Sequence, residues 1–326
     1  LLPRVRQTAA ILWGVYVLLS AAETTLLYLG GMPIFDSLCH TFGTMATGGF
    51  STKDASIGHY FQAGVENSLY FELVIDLFMF LAGVNFLLHY QALRGNFKVY
   101  WKSTEFRFYL GITLLAIVFL TGFLYFSEGR GDSLGQDLRE SVFQTVAIMT
   151  TTGYATANTD LWPGFCRILL VVLMFLGGCA GSTGGGLKQI RILVVFKYVY
   201  RALLKLLRPG LANRIRIGDE SLDEKLVANI IALALLWFGV FVCACVLLTP
   251  LVDSPDHDEN WNLVTSVTAV AATLNNIGPG LAGVGSTCNY SWLPLSAKAL
   301  LCVCMIMGRL EIYSVVVILL PLTWRR

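Results

Sequence analysis

The chain has 326 residues, of which 56% are hydrophobic and only 13% charged, and its mean hydropathy is +0.66. This balance excludes an ordinary soluble domain and predicts an all-α polytopic membrane protein. The net charge of +2 is small, so nothing indicates nucleic acid binding. The eight cysteines show no CxxC spacing and lie mostly in apolar runs, which favours packing over a redox role.

The first part of the chain alternates long and short apolar segments. Residues 8–30 are long enough for a membrane span, which needs about 20 helical residues, whereas residues 33–44 are too short. The short segment ends at a glycine loop around Gly49, and a second full span is predicted at 67–93. The order is therefore span, short helix, glycine loop, span.

The same order recurs in the middle of the chain. A span at 108–126 precedes a short helix at 137–149 and a glycine loop around Gly153. The span that begins near Trp162 is interrupted by the glycine-rich segment 177–186. Basic residues follow it, as they follow the first pair of spans.

A third recurrence completes an internal repeat. A span at 226–249 is followed by a short helix at 261–273, a glycine loop around Gly278 and a last span at 293–324. The repeat predicts three units, and these are residues 1–105, 106–217 and 218–326.

The charge pattern predicts which side of the membrane the glycine loops occupy. All basic clusters fall on one side of the predicted topology and all three loops on the other, so the positive-inside rule places the loops outside. A short helix that enters the membrane and returns leaves unpaired carbonyls, which are tolerated only inside protein or beside water. Its C-terminal end also favours a cation. Three such elements predict a shared cation pore.

The segment Thr151-Thr152-Gly153-Tyr154-Ala155 matches, at three places, the TVGYG loops whose carbonyls replace the hydration shell of K⁺ in potassium channels. Alone, such a run is also typical of a surface turn. Glycines at equivalent places in the other two loops favour a selectivity filter. The residues predicted to bind K⁺ there are Thr47, Gly48, Gly49, Thr151, Thr152, Gly153, Asn276, Ile277 and Gly278.

Five stretches resemble the TrkH family, the membrane subunits of bacterial Trk potassium-uptake systems within the wider Trk/Ktr/HKT superfamily. They are MATGGFSTKDASIGHY (45–60), TTTGYATANTD (150–160), GGCAGSTGGGLKQIR (177–191), NNIGPGL (275–281) and GRLEIYS (308–314).

The resemblance implies a gated K⁺ pore in the bacterial inner membrane, formed by four repeats with pseudo-fourfold symmetry. It also implies a homodimer controlled by a cytoplasmic nucleotide-binding subunit resembling TrkA. No covalent cofactor is implied, and nucleotide acts only through that partner. Since three repeats are found here, the family's first repeat is expected before residue 1.

Several interpretations of the segment 177–186 remain open. Serial glycines break a helix and are typical of a flexible linker. A phosphate-binding loop of a nucleotide-using enzyme is a weaker alternative, because Leu187 stands where lysine is required. Resemblance to the family favours an intramembrane gate. The gating residues it implies are Gly177, Gly178, Gly181, Ser182, Thr183, Gly184, Gly185, Gly186, Lys188 and Arg309.

Three sets of charged residues have two interpretations each. Arg309 lies within the last predicted span, where arginine is costly. It either pairs with an acid such as Glu311 or, as the resemblance implies, faces the pore as a barrier to cations. Glu72 and Asp76 share a helix face and are expected to pack or to cap outer-loop amides. The basic run 188–216 fits anionic membrane lipid or a docking surface for a regulatory partner.

Three other functions are alternatives to passive potassium uptake. A secondary transporter coupled to Na⁺ or H⁺ requires buried acids near broken helices at mid-membrane depth. A membrane enzyme is not supported, since the sequence contains neither HExxH nor GxSxG. A non-conducting assembly subunit remains open.

Overall fold

The computed structural model describes residues 2–127, 133–208, 214–218, 220–253, 259–319 and 321–324. Within these ranges the chain is mostly helical. Its strands there are β1 (Arg216–Ile217) and β2 (Glu220–Ser221), which pair antiparallel. The predicted all-α fold is confirmed.

The helices follow the predicted alternation of long and short elements. In the first third of the chain they are α1 (Leu2–Leu29), α2 (Ile34–Met45), α3 (Gly58–Gln62), α4 (Ser68–Ala82), α5 (Phe86–Leu93) and α6 (Lys98–Lys102). The middle third contains α7 (Thr104–Tyr125), α8 (Leu134–Met149), α9 (Gly164–Met174) and α10 (Gln189–Leu207). The last third contains α11 (Glu224–Val252), α12 (Glu259–Leu274), α13 (Leu295–Arg309), α14 (Ile312–Leu319) and α15 (Pro321–Trp324).

Three described helices are each long and apolar enough to cross a membrane, and these are α1, α7 and α11. Two further spans are formed if each of two sharply bent helix pairs is counted as one. The outward faces of the three long helices carry large exposed apolar side chains, among them Trp13, Val118 and Leu235. In a membrane such faces are covered by lipid. The chain is therefore a multi-pass membrane protein.

The span predicted at 67–93 is not one straight helix. It is divided into α4 and α5, which meet at 104°. At the break, the Gly83 carbonyl accepts a hydrogen bond from Cys179 N at 2.8 Å, and Phe86 N donates to the Gly181 carbonyl at 3.1 Å. The prediction was wrong because the glycine-rich segment satisfies the backbone groups that a continuing helix would have paired.

The last predicted span, 293–324, is also broken. Helices α13 and α14 meet at 111° directly after Arg309, which is therefore the last residue of α13 and not a mid-span residue. Two predicted unit boundaries also fall inside elements. The boundary at 105/106 lies in the first turn of α7, whose cap is Ser103, and the boundary at 217/218 lies in the β1–β2 hairpin.

The short helices α2, α8 and α12 occupy the interior. Three apolar clusters surround them, with α8 contributing to the first two and α12 to the last two. The short helices also bury polar side chains completely, including Thr41, Ser141 and Thr265. This core holds the three helix ends close to one another.

Glu72 was expected to pack or to cap outer-loop amides, and the structure shows it packing α4 against α8 through a buried ion pair. Both of its carboxylate oxygens accept hydrogen bonds at 2.5 Å, from Nε and Nη2 of Arg139 on α8. The Arg139 guanidinium also lies 3.8 Å from the centre of the Phe61 ring. This pair fixes α8 against α4.

We expect Glu72→Ala to lower the free energy of unfolding by about 3–5 kcal/mol, because it leaves a largely buried guanidinium without its counter-charge. Thermal unfolding in detergent measures the effect. The matched control is Glu224→Ala, which removes an exposed partner 3.5 Å from Arg201. Exposed pairs contribute about 1 kcal/mol or less, so an equal loss in both variants would contradict the assignment.

Candidate functional site

The three short helices end in one repeated backbone conformation. We define the first glycine loop as residues 46–51, the second as 150–155 and the third as 275–280. The second residue after each helix has a positive φ although it is not glycine, and the fourth is a glycine with a positive φ. The angles are 51° at Thr47, 59° at Thr151, 58° at Asn276, 66° at Gly49, 80° at Gly153 and 111° at Gly278. Positive φ is uncommon outside glycine, so the match indicates one repeated loop.

Backbone hydrogen bonds fold each loop back onto its own helix. In the first loop, Gly48 N and Gly49 N both donate to the Gly43 carbonyl, at 2.8 and 3.2 Å. In the second, Thr152 N and Gly153 N donate to the Ala147 carbonyl in the same way, at 2.9 and 3.0 Å. In a trans peptide the C=O points opposite to the N–H. The carbonyls of these peptide units therefore point away from the helix, and the same holds in the third loop, where Ile277 N donates to Ala272 O at 2.8 Å.

The loops abut one another in order. A Cβ added at Gly49 would overlap the Thr152 carbonyl oxygen, and one at Gly153 would overlap the Ile277 carbonyl oxygen. A Cβ at Gly278 would meet nothing within 4 Å. Glycine is therefore required at the first two positions by close approach as well as by φ. The described loops form three sides of a ring.

The remaining side is an open cavity of about 510 Å³ between the first and third loops and α13. Thr47 and Gly48 line one wall, and Asn276 and Gly278 line the other. Arg309 also contributes to the wall. Among the described residues, no group of three or more His, Cys, Asp or Glu side chains is placed to hold a metal ion. The loops present backbone carbonyl oxygens and threonine hydroxyl oxygens, and such oxygen ligands suit a hard monovalent cation.

The glycine-rich segment 177–186 contacts all three loops. Thr47 Oγ1 donates to the Thr183 carbonyl at 3.0 Å, and Gly185 N donates to Thr151 Oγ1 at 2.6 Å. A Cβ at Gly185 would lie 2.6 Å from the Asn275 carbonyl oxygen. These contacts do not fit a flexible linker, because the segment is bonded to the first and second loops and packs against the third.

Two residues that the sequence did not single out fix the base of this segment. Glu105 Oε1 accepts from Ala180 N at 2.7 Å and from Ile190 N at 3.2 Å. Gln189 Nε2 donates to the Gly177 carbonyl at 2.8 Å. An acidic residue in the first turn of α7 was the available signal for Glu105, but its ordinary interpretation is a favourable helix-end charge.

We expect Glu105→Ala to lower the apparent unfolding temperature of the protein in detergent by several degrees. The substitution leaves two backbone amides without their acceptor, at a cost of about 1–3 kcal/mol for each buried group. Glu105→Gln retains Oε1 as an acceptor and is expected to lose much less. If alanine and glutamine lower the temperature equally, the charge of Glu105 matters and the two hydrogen bonds do not.

Cationic side chains hold the other end of the segment. Arg309 Nη1 donates to the Thr183 carbonyl at 3.1 Å, and the Lys188 ammonium donates to the Gly184 carbonyl. Glu311 pairs with Arg191, at 2.8 Å. The alternative in which Arg309 pairs with Glu311 is therefore wrong.

The outer flanks of the loops are also joined to one another. The Tyr154 hydroxyl donates to the carbonyls of His40 and Phe50, at 3.0 and 3.2 Å. Asp160 Oδ1 accepts from Ala282 N at 2.7 Å, which joins the segment that follows the second loop to the segment that follows the third. Burial raises the pKa of the Asp160 carboxyl, an effect that this hydrogen bond partly offsets. The second loop is therefore fixed on both sides.

A shell of apolar helices around three short helices with glycine loops defines a polytopic membrane protein built from repeated re-entrant elements. A family model described as TrkH, cation transport protein, matches residues 1–322. The chain belongs to the TrkH family.

Individual relatives agree with this assignment. The Trk system potassium uptake protein TrkH of Salmonella typhimurium is 38% identical over 324 residues, which are 99% of this chain and 64% of that protein. The Trk system potassium uptake protein TrkG of Escherichia coli K12 is 32% identical over 326 residues, 100% of this chain and 64% of that protein. The crystal structure of the potassium transporter TrkH from Vibrio parahaemolyticus superimposes with a TM-score of 0.88 at 35% identity, over 99% of this chain and 66% of that chain. The chain thus spans about 64% of the length of these curated relatives.

Proposed function

We propose that this protein takes up K⁺ through a gated pore in the bacterial cytoplasmic membrane, passively and down the electrochemical gradient. One observation carries the proposal. The three glycine loops share one backbone conformation and lie against one another, and the segment 177–186 contacts all three. The names of the relatives, which are potassium uptake proteins, support K⁺ as the ion.

The three glycine loops act as the selectivity filter in this proposal. Their carbonyls supply the oxygen ligands of K⁺, and the C-terminal ends of α2, α8 and α12 add a favourable potential for a cation. The filter residues are Thr47, Gly48, Gly49, Thr151, Thr152, Gly153, Asn276, Ile277 and Gly278.

A fourth loop of the same kind completes the ring in this proposal. The open side next to Gly278 and the cavity of about 510 Å³ between the first and third loops provide its place. The units 1–105, 106–217 and 218–326 are then three pore repeats with pseudo-fourfold symmetry. The longer relatives support this arrangement.

The segment 177–186 serves as the gate. It touches the filter through Thr183 and Gly185, and Arg309 and Lys188 hold it by its carbonyls. The hydrogen bonds at its tip are few, and each contributes about 0.5–1.5 kcal/mol, or about 1.5–3 kcal/mol where the donor is charged, so a few kcal/mol suffice to move it. An arginine beside the pathway adds an electrostatic barrier to K⁺.

Partner proteins regulate the gate in this proposal. We infer a cytoplasmic nucleotide-binding subunit resembling TrkA, because the relatives are named as parts of a Trk system. The homodimer is proposed from the family resemblance alone. The basic helix α10, with Arg191, Lys197 and Arg201, provides a surface for that subunit or for anionic lipid. Transport without catalysis fits the description of the family.

Uptake of ⁸⁶Rb⁺ into proteoliposomes that contain the full-length protein tests the proposal. We expect uptake that saturates, that K⁺ inhibits more strongly than Na⁺, and that reaches electrochemical equilibrium without exceeding it. Empty liposomes measure the leak. Equal inhibition by Na⁺ and K⁺, or uptake no greater than the leak, would refute a potassium pore.

Coupling to protons is the second candidate, and Glu23 on α1 favours it. This carboxyl is fully buried, and its oxygens have no hydrogen-bond partner among the described residues. The nearby Thr44 hydroxyl donates to the His40 carbonyl at 2.8 Å instead. Ionisable groups in a membrane interior are functional candidates. Accumulation of ⁸⁶Rb⁺ against its gradient, driven by an imposed pH difference and lost in Glu23→Gln, would establish coupling and overturn the passive pore.

A further inference from the structure

A polar cavity of about 200 Å³ borders the glycine-rich segment but none of the three glycine loops. It is lined by residues of the segment, by Trp237 on α11 and by the junction of α13 with α14. Three of its lining side chains are basic, namely Lys188, Arg191 and Arg309, whereas Glu311 is its single acidic one.

The positive charge of this cavity exceeds the negative charge. Glu311 is bonded to Arg191 at 2.8–2.9 Å, while Lys188 and Arg309 donate to the neutral carbonyls of Gly184 and Thr183. The Glu105 carboxylate lies near Lys188, but its Oε1 accepts two backbone amides. The first two amides of helix α10 donate to the Gly178 carbonyl and to the Glu105 carboxylate, so the positive charge of the cavity comes from its basic side chains.

We propose that this cavity binds a phosphate group, with Lys188, Arg191 and Arg309 as its ligands. Guanidinium and ammonium donors that line one cavity are an arrangement that binds tetrahedral oxyanions. A cavity of about 200 Å³ exceeds the volume of several waters at about 30 Å³ each, so it accommodates a phosphate with part of its hydration shell. The chemistry is that of inorganic phosphate or of an anionic lipid headgroup. It differs from a Walker loop, in which backbone amides surround the phosphate.

Binding has a consequence for the gate, and this step rests on the proposed function. A phosphate that accepts from Lys188 and Arg309 competes with the carbonyls of Gly184 and Thr183 for the same donors. Both donors are already charged, but a phosphate adds the attraction between opposite charges, which a neutral carbonyl does not supply, so the anion displaces the carbonyls. The glycine-rich segment then loses two of its contacts, and the electrostatic barrier of both cations is reduced.

Trp237 in the cavity wall allows a direct test that needs no transport. The full-length protein in zwitterionic nanodiscs is titrated with inorganic phosphate at constant ionic strength, and tryptophan fluorescence is recorded. We expect a saturable change that is absent in Trp237→Phe and absent with chloride. Lys188→Met and Arg309→Gln are expected to weaken binding at least tenfold. Arg94→Gln, which changes an exposed residue at the C-terminal cap of α5 that does not line the cavity, is the matched control and is expected to bind as the wild type does.

Further measurements show whether the ligand is a lipid headgroup or free phosphate, and whether a variant has lost the site or has misfolded. If phosphatidylglycerol in the nanodisc abolishes the response to inorganic phosphate, the headgroup is the ligand, and if it does not, the free ion is. Lys188→Arg keeps the charge and is expected to restore binding, which separates loss of the site from misfolding. No saturable response, or equal affinity in Lys188→Met and wild type, would overturn the site.

The effect of phosphate on the gate is tested separately by ⁸⁶Rb⁺ uptake. Phosphate that binds but leaves uptake unchanged would refute release of the gate. If the wild type shows no uptake at all, the pore is refuted and the binding result still holds.

Discussion

Gly153→Ser is expected to reduce ⁸⁶Rb⁺ uptake at least tenfold and to remove the preference for K⁺ over Na⁺. Gly153 has a φ of 80°, and a Cβ there would overlap the carbonyl oxygen of Ile277 in the neighbouring loop. The second and third loops must therefore separate, which displaces carbonyls that would bind the ion. A tenfold loss corresponds to about 1.4 kcal/mol in the barrier, and left-handed backbone alone costs a side chain about 1–2 kcal/mol.

Two matched glycine variants distinguish damage to the filter from a general loss of protein stability. Gly111 lies in α7 with nothing within 4 Å of an added Cβ, so Gly111→Ser is expected to conduct normally. Gly278 has a φ of 111° but open space around it, so Gly278→Ser tests backbone strain without a collision. Uptake and K⁺ preference that remain intact in Gly153→Ser, at equal reconstitution, would show that the second loop is not a filter.

The sequence predicted the glycine loops because their requirement is local. A positive φ and a close approach both demand the absence of a side chain, so glycine marks the place directly. Gly49, Gly153 and Gly278 recur after short apolar segments, and the structure gives all three a positive φ. The ends of α2, α8 and α12 were placed to within about one residue for the same reason. Whether the loops bind K⁺ stays a prediction that flux measurements decide.

The bends of the broken helices could not be predicted in the same way. Gly83 and Asn85 are compatible with a continuous apolar span, although the Asn85 side chain caps α5 by accepting from Leu87 N at 2.9 Å. The 104° angle depends on partners in the segment 177–186, nearly a hundred positions later. The same holds for Glu72, whose partner Arg139 lies on another helix. Long-range partners leave no local pattern in a single sequence.

The attachments of the glycine-rich segment differ in strength between its base and its tip. At the base, the Glu105 carboxylate holds two amides and Gln189 holds one carbonyl. At the tip, the neutral carbonyls of Thr183 and Gly184 accept from Arg309 and Lys188. Movement is therefore expected at the tip, with the base as a fixed hinge. Arg309 is the tip contact whose removal has the largest expected effect, because Arg309, unlike Lys188, also lines the cavity between the first and third loops.

Arg309→Ala is expected to raise ⁸⁶Rb⁺ uptake severalfold over that of the wild type. The substitution removes the 3.1 Å hydrogen bond to the Thr183 carbonyl and the positive charge that opposes K⁺. Arg309→Gln retains an N–H donor without the charge, and Arg309→Lys retains the charge on a different donor. If the charge dominates, glutamine resembles alanine, and the increase shrinks with rising ionic strength. If the hydrogen bond dominates, glutamine resembles the wild type. Unchanged or reduced uptake in Arg309→Ala, at equal amounts of reconstituted protein, would contradict both roles, and the tip of the segment 177–186 would then be held by Lys188 and by the contacts with Thr47 and Thr151.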